Sequence, residues 1–338
     1  MGMLSVGVLG VGHFGRFHAL KLASAVPRAR LSGVFDTNPA RAAAVAAETG
    51  APALESAAAL IAASDALVVA APTRFHAELA GSALAAGRHV LVEKPIAATV
   101  AEADALIALA RARGLVLQVG HLERFSAALQ WLCGADPGGG GGVLREWIGR
   151  PLYLEAVRIA PFRPRSLDIP VVLDLMIHDL DLALVLVGSA LESVDAIGAP
   201  VVSPHTDIAN ARLRFADGAA ATITASRVSL RMERKLRVFG TRGYLNADFL
   251  ARSLHVVRRG AGEAIPAMPE FGIETHTWQD HDSLEAELRA FVASCLDGAP
   301  VVVDGAAGRR ALEAGLRVLE AIAASRAKAE ASGLLGPP

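Results

Sequence analysis

The chain contains little cysteine, almost no net charge and no long hydrophobic run. Its two cysteines, Cys133 and Cys295, are too few for a disulfide framework or a cysteine-based zinc site. The 33 lysines and arginines nearly balance the 34 acidic residues, which argues against a general nucleic-acid-binding protein. The longest apolar runs, such as residues 66–72, have the length of a β-strand, whereas a membrane span needs about 20 apolar residues. We therefore expect neither a nucleic-acid partner nor a membrane partner.

Aliphatic residues are abundant, since 53% of the 338 residues are hydrophobic and the mean hydropathy is +0.40. Much of this excess is alanine, which favours helices and does not imply an apolar surface. The apolar run at the N-terminus leads into a glycine-rich turn and not into a cleavage site, so we expect no secretory leader. The length suggests about two domains. The composition thus predicts a soluble, cytoplasmic protein of two domains.

The first 120 residues alternate short strand-like runs with longer helical ones. This pattern predicts βαβ units and a mostly parallel sheet with helices on both faces. The predicted strands cover residues 4–9, 31–35, 66–71, 89–92 and 115–119, and the predicted helices cover residues 14–24, 39–48, 75–86 and 100–113.

The pattern changes after residue 125. Residues 134–142 are so rich in glycine that we expect a loop there. Strand-like runs separated by turn signals then predict a mainly antiparallel sheet, and the strand over 209–215 alternates apolar and polar residues, as a sheet with one buried face requires. The predicted strands cover 153–159, 194–197, 209–215, 219–226, 235–239 and 254–257, with helices over 173–187, 283–296 and 306–328.

A glycine-rich motif follows the first predicted strand and opens the first predicted helix. Gly10, Gly12 and Gly15 have the G-x-G-x-x-G spacing that lets a backbone turn approach a pyrophosphate at a helix N-terminus. Asp36 follows the second predicted strand, 21 positions after Gly15, where a carboxylate accepts hydrogen bonds from the adenosine ribose and repels a 2′-phosphate. The motif therefore predicts NAD as the cofactor in preference to NADP. Arg41 lies close enough to weaken that preference, and a plain glycine turn with a capping aspartate is the structural alternative.

Lys94 follows a predicted strand, where ligands bind in open α/β sheets. Its ammonium could stabilise a developing alkoxide and hold a substrate hydroxyl. The alternative is a surface lysine that precedes the turn-forming Pro95. The spacing alone does not separate the two interpretations.

A second group of polar residues lies on the predicted helix over 173–187. Asp174 and His178 are four positions apart and share one face, and Asp181 lies close to His178. A histidine between carboxylates in apolar surroundings is suited to act as a general base. A buried structural histidine is the alternative. We expect no metal, because no third strong ligand follows at helical spacing.

Four ordered segments resemble the Gfo/Idh/MocA oxidoreductases: GVGHFGRFH (10–18), APTRFH (71–76), AGRHVLVEKP (86–95) and DLMIHDLD (174–181). The resemblance implies oxidation of a secondary alcohol on a sugar or cyclitol. It implies that His178 takes the hydroxyl proton, that Lys94 holds the substrate oxygen, that Asp174 orients Lys94 or the substrate, and that Lys94–Pro95 is cis. The cofactor contacts that it implies are Gly10, Gly12, His13, Phe14, Gly15, Asp36, Thr37, Pro72, Thr73, His76, Glu93 and Lys94.

The resemblance also gives the fold class, which is α/β. It implies an N-terminal Rossmann domain over 1–122 and a C-terminal α/β domain over 123–304 with a large, mainly antiparallel open sheet. A helix over 305–330 is expected to pack back on the first domain. The resemblance further implies a homodimer or homotetramer formed through the C-terminal sheet.

Two further segments, QVGHLERF (118–125) and RIAPFRPR (158–165), are similar to the branch of the family that oxidises UDP-N-acetylglucosamine at C3. Many family members carry glycines where this chain has Ile-Pro-Val-Val (169–172), which is consistent with that branch. Because a guanidinium suits phosphate oxygens, we expect arginines here to bind the substrate diphosphate, although they could simply face solvent. The residues predicted to bind substrate are His121, Glu123, Arg124, Arg158, Arg163 and Arg165.

Two other functions remain open at this point. One is a dehydrogenase of a free sugar, polyol or inositol. The other is a dinucleotide-binding regulator without catalytic activity, which would have no need for Lys94, Asp174 and His178 together.

Overall fold

The computed structural model describes residues 2–133, 143–163 and 169–334. The predicted glycine-rich loop over 134–142 lies outside this part of the chain. The chain forms two compact units. Unit 1 comprises Met1–Ser126 and Asp282–Leu312, and unit 2 comprises Ala127–His281 and Glu313–Pro338.

Unit 1 is built on a five-stranded sheet in the order β2-β1-β3-β4-β5, and every pair of neighbouring strands is parallel. A single parallel bridge from Val34 to Ala53 extends the sheet beyond β2. The strands are β1 (Leu4–Leu9), β2 (Ala29–Phe35), β3 (Ala66–Val69), β4 (His89–Glu93) and β5 (Leu117–Gly120); the helices are α1 (His13–Ser24), α2 (Pro39–Thr49), α3 (Ala57–Ala62), α4 (His76–Ala85) and α5 (Val100–Arg113).

Local sequence signals explain these elements. All four residues of β3 are buried, as a parallel strand covered on both faces requires. Helix α5 begins with a capping box between Thr99 and Glu102 and ends at Gly114, whose φ of 62° is the left-handed conformation that glycine adopts at helix ends. The predicted helix over 100–113 is confirmed at both ends.

Unit 2 contains a nine-stranded sheet in the order β13-β14-β12-β11-β10-β6-β9-β8-β7. Among the described pairs, β6 and β9 are parallel and the others antiparallel, which confirms the predicted mainly antiparallel sheet. Its elements are α6 (Ala127–Cys133), α7 (Val143–Ile148), β6 (Pro151–Ile159), a π-helical turn (Val172–Met176) that continues into α8 (Ile177–Val187), β7 (Leu191–Ala199), β8 (Ile208–Phe215), β9 (Ala220–Ser226), β10 (Glu233–Gly240), β11 (Gly243–Asp248), β12 (Ser253–Arg259), β13 (Glu263–Ile265) and β14 (Met268–Thr277).

The two faces of this sheet differ as predicted. Along β8, exposed and buried residues alternate at every position, with Ala209, Ala211, Leu213 and Phe215 buried. These residues share one core with apolar side chains of α8, such as Leu180 and Ala183. The buried face therefore fixes the register of the strands that support α8.

The C-terminal helices divide differently from the prediction. Helix α9 (Ser283–Asp297) belongs to unit 1, because its Leu288 and Phe291 share a core with β1, whereas the prediction placed residues 123–304 in the second domain. Helix α10 (Gly305–Ala331) begins in unit 1 but continues into unit 2, where Val318 and Ile322 join the core under the sheet. Only its first turns follow the predicted packing on the first domain. Within the described residues, every helix is too short or too polar to cross a membrane.

Candidate active site

The three glycines after β1 meet three different requirements. Gly10 has a φ of 85° and lies so close to β3 that a side chain would meet the backbone of Ala71. A Cβ on Gly15 would overlap the carbonyl oxygen of Gly10. A Cβ on Gly12, in contrast, would have no described atom within 4 Å. Because packing inside the protein does not explain Gly12, the open space above it fits a pyrophosphate that approaches the backbone.

The N-terminus of α1 presents its backbone N–H groups beside this space. Its N-cap is Gly12, and no described side chain caps the helix, so these donors suit a phosphate. A cleft of about 350 Å³ lies beside the turn and is lined by Val11, Gly12, His13, Arg16, Arg41, Ala44, Val45 and Glu48. The order of the sheet reverses between β1 and β3, which is where open α/β sheets bind ligands.

Asp36 at the end of β2 closes this turn. Its carboxylate accepts hydrogen bonds from the backbone N–H of Val11 at 2.9 Å and of Asn38 at 2.8 Å. Arg41 Nη1 lies 3.3 Å from both carboxylate oxygens. Asp36 therefore holds the glycine turn and neutralises the nearby guanidinium at the same time.

Other predicted cofactor residues follow the same edge of the sheet. His13 and Phe14 open α1, Thr37 follows Asp36, and Pro72 and Thr73 follow β3. The structure thus places them at the carboxyl ends of β1, β2 and β3, and their contacts with the cofactor stay predictions.

The Lys94 turn follows β4. The Lys94–Pro95 peptide bond is cis, as the resemblance implied. The backbone N–H of Lys94 lies 3.3 Å from Glu93 Oε2, and Glu93 Oε1 lies 2.7 Å from His18 Nε2. Both Glu93 and His18 are buried.

His76 braces this turn from the other side. Its Nδ1 lies 2.7 Å from the carbonyl oxygen of Pro95, and its Nε2 lies 2.7 Å from that of Ala71. Burial lowers the pKa of His76, although the two carbonyl contacts oppose that shift. The ring thus links the end of β3 to the Lys94 turn, and its predicted contact with the cofactor stays a prediction.

Asp174 and His178 lie where the π-helical turn passes into α8. Both side chains are half-buried, whereas Asp179 and Asp181 are buried. π-Helical turns inside α-helices often occur at functional sites. This widened turn could not be predicted from the sequence, because its residues have the same apolar pattern as an ordinary helix.

Arg158, which the sequence predicts to bind substrate, is buried and paired within unit 2. The residue is 4% exposed, and its guanidinium forms a two-pronged ion pair with Asp179, with Nε to Oδ2 at 2.8 Å and Nη2 to Oδ1 at 3.0 Å. A carboxylate of α8 thus engages the guanidinium fork, and the predicted contact of Arg158 with the substrate diphosphate stays a prediction. Asp179 is 21 residues away from Arg158, and spacing alone does not indicate that the fold pairs the two.

A second buried pair holds the segment before the π-helical turn. Burial opposes the charge of Asp207, but N–H groups of Val201, Val202 and Ser203 bind the carboxylate and hold its pKa well below the usual range. Arg227 lies 2.7 Å from this carboxylate and donates to the carbonyl of Ile169 at 2.9 Å. Sequence reasoning did not find this pair.

The remaining residues predicted to bind substrate are placed as follows. His121 is buried directly before the turn that follows β5 (Leu122–Phe125). Arg124 is buried within that turn, which also contains Glu123, and Arg163 is exposed. Arg165 lies outside the described residues. Their contacts with a substrate stay predictions.

Comparisons with known proteins agree with this architecture. The family model described as an oxidoreductase family with an NAD-binding Rossmann fold, Gfo/Idh/MocA, matches residues 4–121. The model of the Gfo/Idh/MocA C-terminal domain matches residues 146–246. The chain belongs to the Gfo/Idh/MocA oxidoreductases. The predicted family, its α/β fold and its NAD cofactor are thereby confirmed.

Relatives within the Gfo/Idh/MocA family include enzymes for nucleotide sugars and for inositols. The chain is 44% identical over 321 residues to UDP-N-acetylglucosamine 3-dehydrogenase from Acidithiobacillus ferrooxidans, covering 95% of this chain and 98% of the relative. A solved structure of that enzyme matches with a TM-score of 0.87 at 43% identity and covers 96% of this chain and 99% of that one. Myo-inositol 2-dehydrogenase from Thermotoga maritima is 29% identical over 260 residues, covering 73% of this chain and 74% of the relative.

Proposed function

We propose that this oxidoreductase uses NAD to oxidise a secondary hydroxyl group of a nucleotide sugar, namely C3 of UDP-N-acetylglucosamine, to a ketone. The observation that carries the proposal is the 44% identity to UDP-N-acetylglucosamine 3-dehydrogenase, which extends over 98% of that relative and so includes both units. The inositol dehydrogenase is less similar, at 29% identity, and matches a smaller share of the chain.

Three residues carry the chemistry in this proposal. Bound NAD would supply the acceptor for the hydride of the carbinol carbon. His178 takes the proton of the hydroxyl group, and its half-buried position on α8 suits a base that must reach a substrate. The ammonium of Lys94 holds the substrate oxygen as negative charge develops on it, and Asp174 orients Lys94 or the substrate.

The cofactor roles follow the geometry of unit 1. The N–H groups at the start of α1 would bind the pyrophosphate above Gly12, and Asp36 would accept hydrogen bonds from the adenosine ribose. The ion pair with Asp36 engages the Arg41 guanidinium, which would otherwise be available to a 2′-phosphate, and this pairing supports NAD over NADP.

For the substrate diphosphate, we infer a role for Arg163 and Arg165, with Arg124 as the third candidate. Arg163 is exposed and has its guanidinium available to phosphate oxygens. Replacing Arg163 and Arg165 by glutamine should raise the KM for the UDP-sugar and leave the KM for NAD unchanged. An unchanged KM for the UDP-sugar, also after Arg124→Gln, would remove the diphosphate assignment.

The direct experiment follows NADH formation with UDP-N-acetylglucosamine, other UDP-sugars, glucose and myo-inositol, with and without 2-oxoglutarate as a recycling oxidant. We expect turnover with UDP-N-acetylglucosamine and a product that has lost two hydrogens at C3, identified by mass spectrometry and NMR. Turnover of inositol or glucose alone would support the free-sugar alternative. NAD binding without turnover of any substrate would support a regulator, and thermal stabilisation by each ligand gives an independent ranking.

We also expect a cytoplasmic enzyme that forms a homodimer or homotetramer through the nine-stranded sheet of unit 2. The polar face of β8, which carries Asn210, Arg212 and Arg214, is the face available for such contacts. Light scattering on the purified protein would measure the oligomeric state, and a monomer at working concentrations would contradict the expectation.

A further inference from the structure

Three ionisable side chains meet in the interior of unit 1. They are His18 from α1, Glu93 from the end of β4 and Glu287 from α9, and one nitrogen or oxygen atom from each lies within 4.8 Å of the others. All three are buried, and both His18 and Glu287 are 0% exposed. His18 Nε2 and Glu93 Oε1 are in direct contact at 2.7 Å.

Glu287 differs from the other two because neither of its carboxyl oxygens has a hydrogen-bond partner among the described residues. Burial, with the negative charge of Glu93 as the second cause, raises the pKa of Glu287 well above its usual range. Two carboxylates this close in an interior cannot both be charged without strong repulsion. Glu93 already pairs with His18 and contacts the N–H of Lys94, so Glu287 is the member that should be neutral.

A bound metal ion is the alternative to a proton, because it could neutralise two carboxylates that are buried beside a histidine. Two ligand atoms of one tetrahedral zinc ion lie about 3.4 Å apart, because each bond is about 2.1 Å long. The 2.7 Å contact between His18 and Glu93 is instead the length of a hydrogen bond. The geometry therefore favours a proton over a metal.

We propose that Glu287 is a positioning residue that acts through a proton. Its neutral carboxyl group allows Glu93 to stay paired with His18. That pairing holds Glu93, and with it the backbone of the Lys94 turn, in place. Loss of the proton at alkaline pH would set a second negative charge against Glu93, weaken its pairing with His18 and displace Lys94. This last step rests on the proposed role of Lys94 in the reaction.

Several other charged or titratable groups face the cluster or lie on the elements packed around it. Lys94 follows Glu93 directly, and His76 braces the same turn. The turn after β5, which packs on α9, carries Glu123 and Arg124. Where α1 approaches the start of α9, Lys21 pairs with Asp282 and Glu285.

The protonation of Glu287 can be read directly by infrared spectroscopy in deuterated water. We expect the carbonyl band of a protonated acid at neutral pH in the wild-type protein, absent in Glu287→Gln. Glu55→Gln, which changes an exposed glutamate, is the matched control and should retain the band. A wild-type spectrum without this band at neutral pH would overturn the proposal, and a metal found in stoichiometric amount would do the same.

The positioning role is tested by the dependence of kcat on pH. We expect the wild-type kcat to fall with the same midpoint as the loss of the acid band, and by at least about tenfold. Glu287→Gln and Glu287→Leu, which cannot ionise, should not show that fall. Profiles that coincide for the wild type and both variants would overturn the role of the proton in positioning, whichever way the band titrates.

The two measurements also separate this inference from the proposed function. The infrared experiment needs neither substrate nor turnover, so a different substrate would leave its result unchanged. If the acid band is present and the enzyme acts on another sugar, the pH comparison is made with that sugar. Only the assignment of Lys94 is shared between the two proposals, and Lys94→Ala tests it separately.

Discussion

Replacing Arg158 by methionine distinguishes a structural arginine from a substrate-binding one. The guanidinium lies on β6, and Asp179 on α8 accepts from both its Nε and its Nη2. The two side chains are 5% and 1% exposed, so water contributes little to either charge. In Arg158→Met, a chain of similar length would fill the space, but the Asp179 carboxylate would remain buried without its main counter-charge.

Removing one partner of a buried ion pair destabilises proteins by about 3–5 kcal/mol, because an uncompensated charge is left in the interior. For a unit of this size, that corresponds to a fall of roughly 6–20 °C in melting temperature. Arg237→Met is the matched control, since Arg237 pairs with Glu155 across the same sheet but is exposed. An exposed pair contributes about 1 kcal/mol or less.

Tryptophan fluorescence is a suitable assay, because the three tryptophans, Trp131, Trp147 and Trp278, all belong to unit 2. Urea unfolding followed by this signal therefore reports on the unit that contains Arg158. The double variant Arg158→Met with Asp179→Asn removes both charges and should be more stable than Arg158→Met alone.

A different pair of results would assign Arg158 to the substrate. A loss of less than about 1 kcal/mol in Arg158→Met, together with a KM for UDP-N-acetylglucosamine raised at least tenfold, would refute the structural role. Arg158 would then bind the substrate, as the sequence predicted.

Three further predictions concern the active site. Lys94→Ala and His178→Ala should each retain NAD binding, measured by calorimetry, but lose kcat by about 100-fold or more, and a kcat like that of the wild type would contradict their roles. Asp36→Ala should raise the ratio of kcat/KM with NADP to kcat/KM with NAD by about tenfold or more, which corresponds to about 1.4 kcal/mol, because it removes a negative charge and releases Arg41 for a 2′-phosphate. An unchanged ratio of the two kcat/KM values would contradict this prediction. Gly12→Ala should fold normally but bind NAD more weakly. Gly15→Ala should lose about 1–3 kcal/mol of stability, because its methyl group overlaps the Gly10 carbonyl. Equal stability of the two variants in urea unfolding would be inconsistent with that packing.

The elements that the sequence predicted well are those whose signals are local. The predicted strand over 4–9 and helix over 100–113 have the bounds seen in the structure, because burial on both faces or a capping box specifies them within a few residues. The alternation along β8 likewise depends only on the period of two residues that a half-buried strand imposes.

The sequence did not predict β11, β13 and β14, and the last two of these strands lie at one edge of the nine-stranded sheet. Strand β14 has a single buried residue, Gly272, and β13 is three residues long with no buried residue. A periodic apolar signal arises only where one face of a strand is buried. Pairing with β12 and the ion pair between Arg258 and Glu274 specify β14, and neither can be inferred from a short window of sequence.

The same distinction between local and distant signals separates the site residues. The glycine turn, Asp36, Lys94 and the Asp174–His178 spacing are short-range patterns, and the sequence predicted each of them. The pairing of Arg158 with Asp179 and the cluster around Glu287 could not be predicted, because the partner of each lies on a distant segment of the chain. A charged residue's role depends on which counter-charge the fold brings to it, and spacing alone carries no information about that choice.

Two buried ion pairs hold the ends of the segment that carries Asp174 and His178. Arg227 and Asp207 fix Ile169 before the π-helical turn, and Arg158 fixes Asp179 directly after His178. Apolar residues of equal volume often stabilise a protein as well as a buried ion pair does, so stability alone does not account for these pairs. A guanidinium fork binds a carboxylate in one plane and so fixes the orientation of both groups, whereas an apolar contact has no preferred direction. The pairs therefore set the rotation of the helix about its axis, and with it the direction in which His178 points.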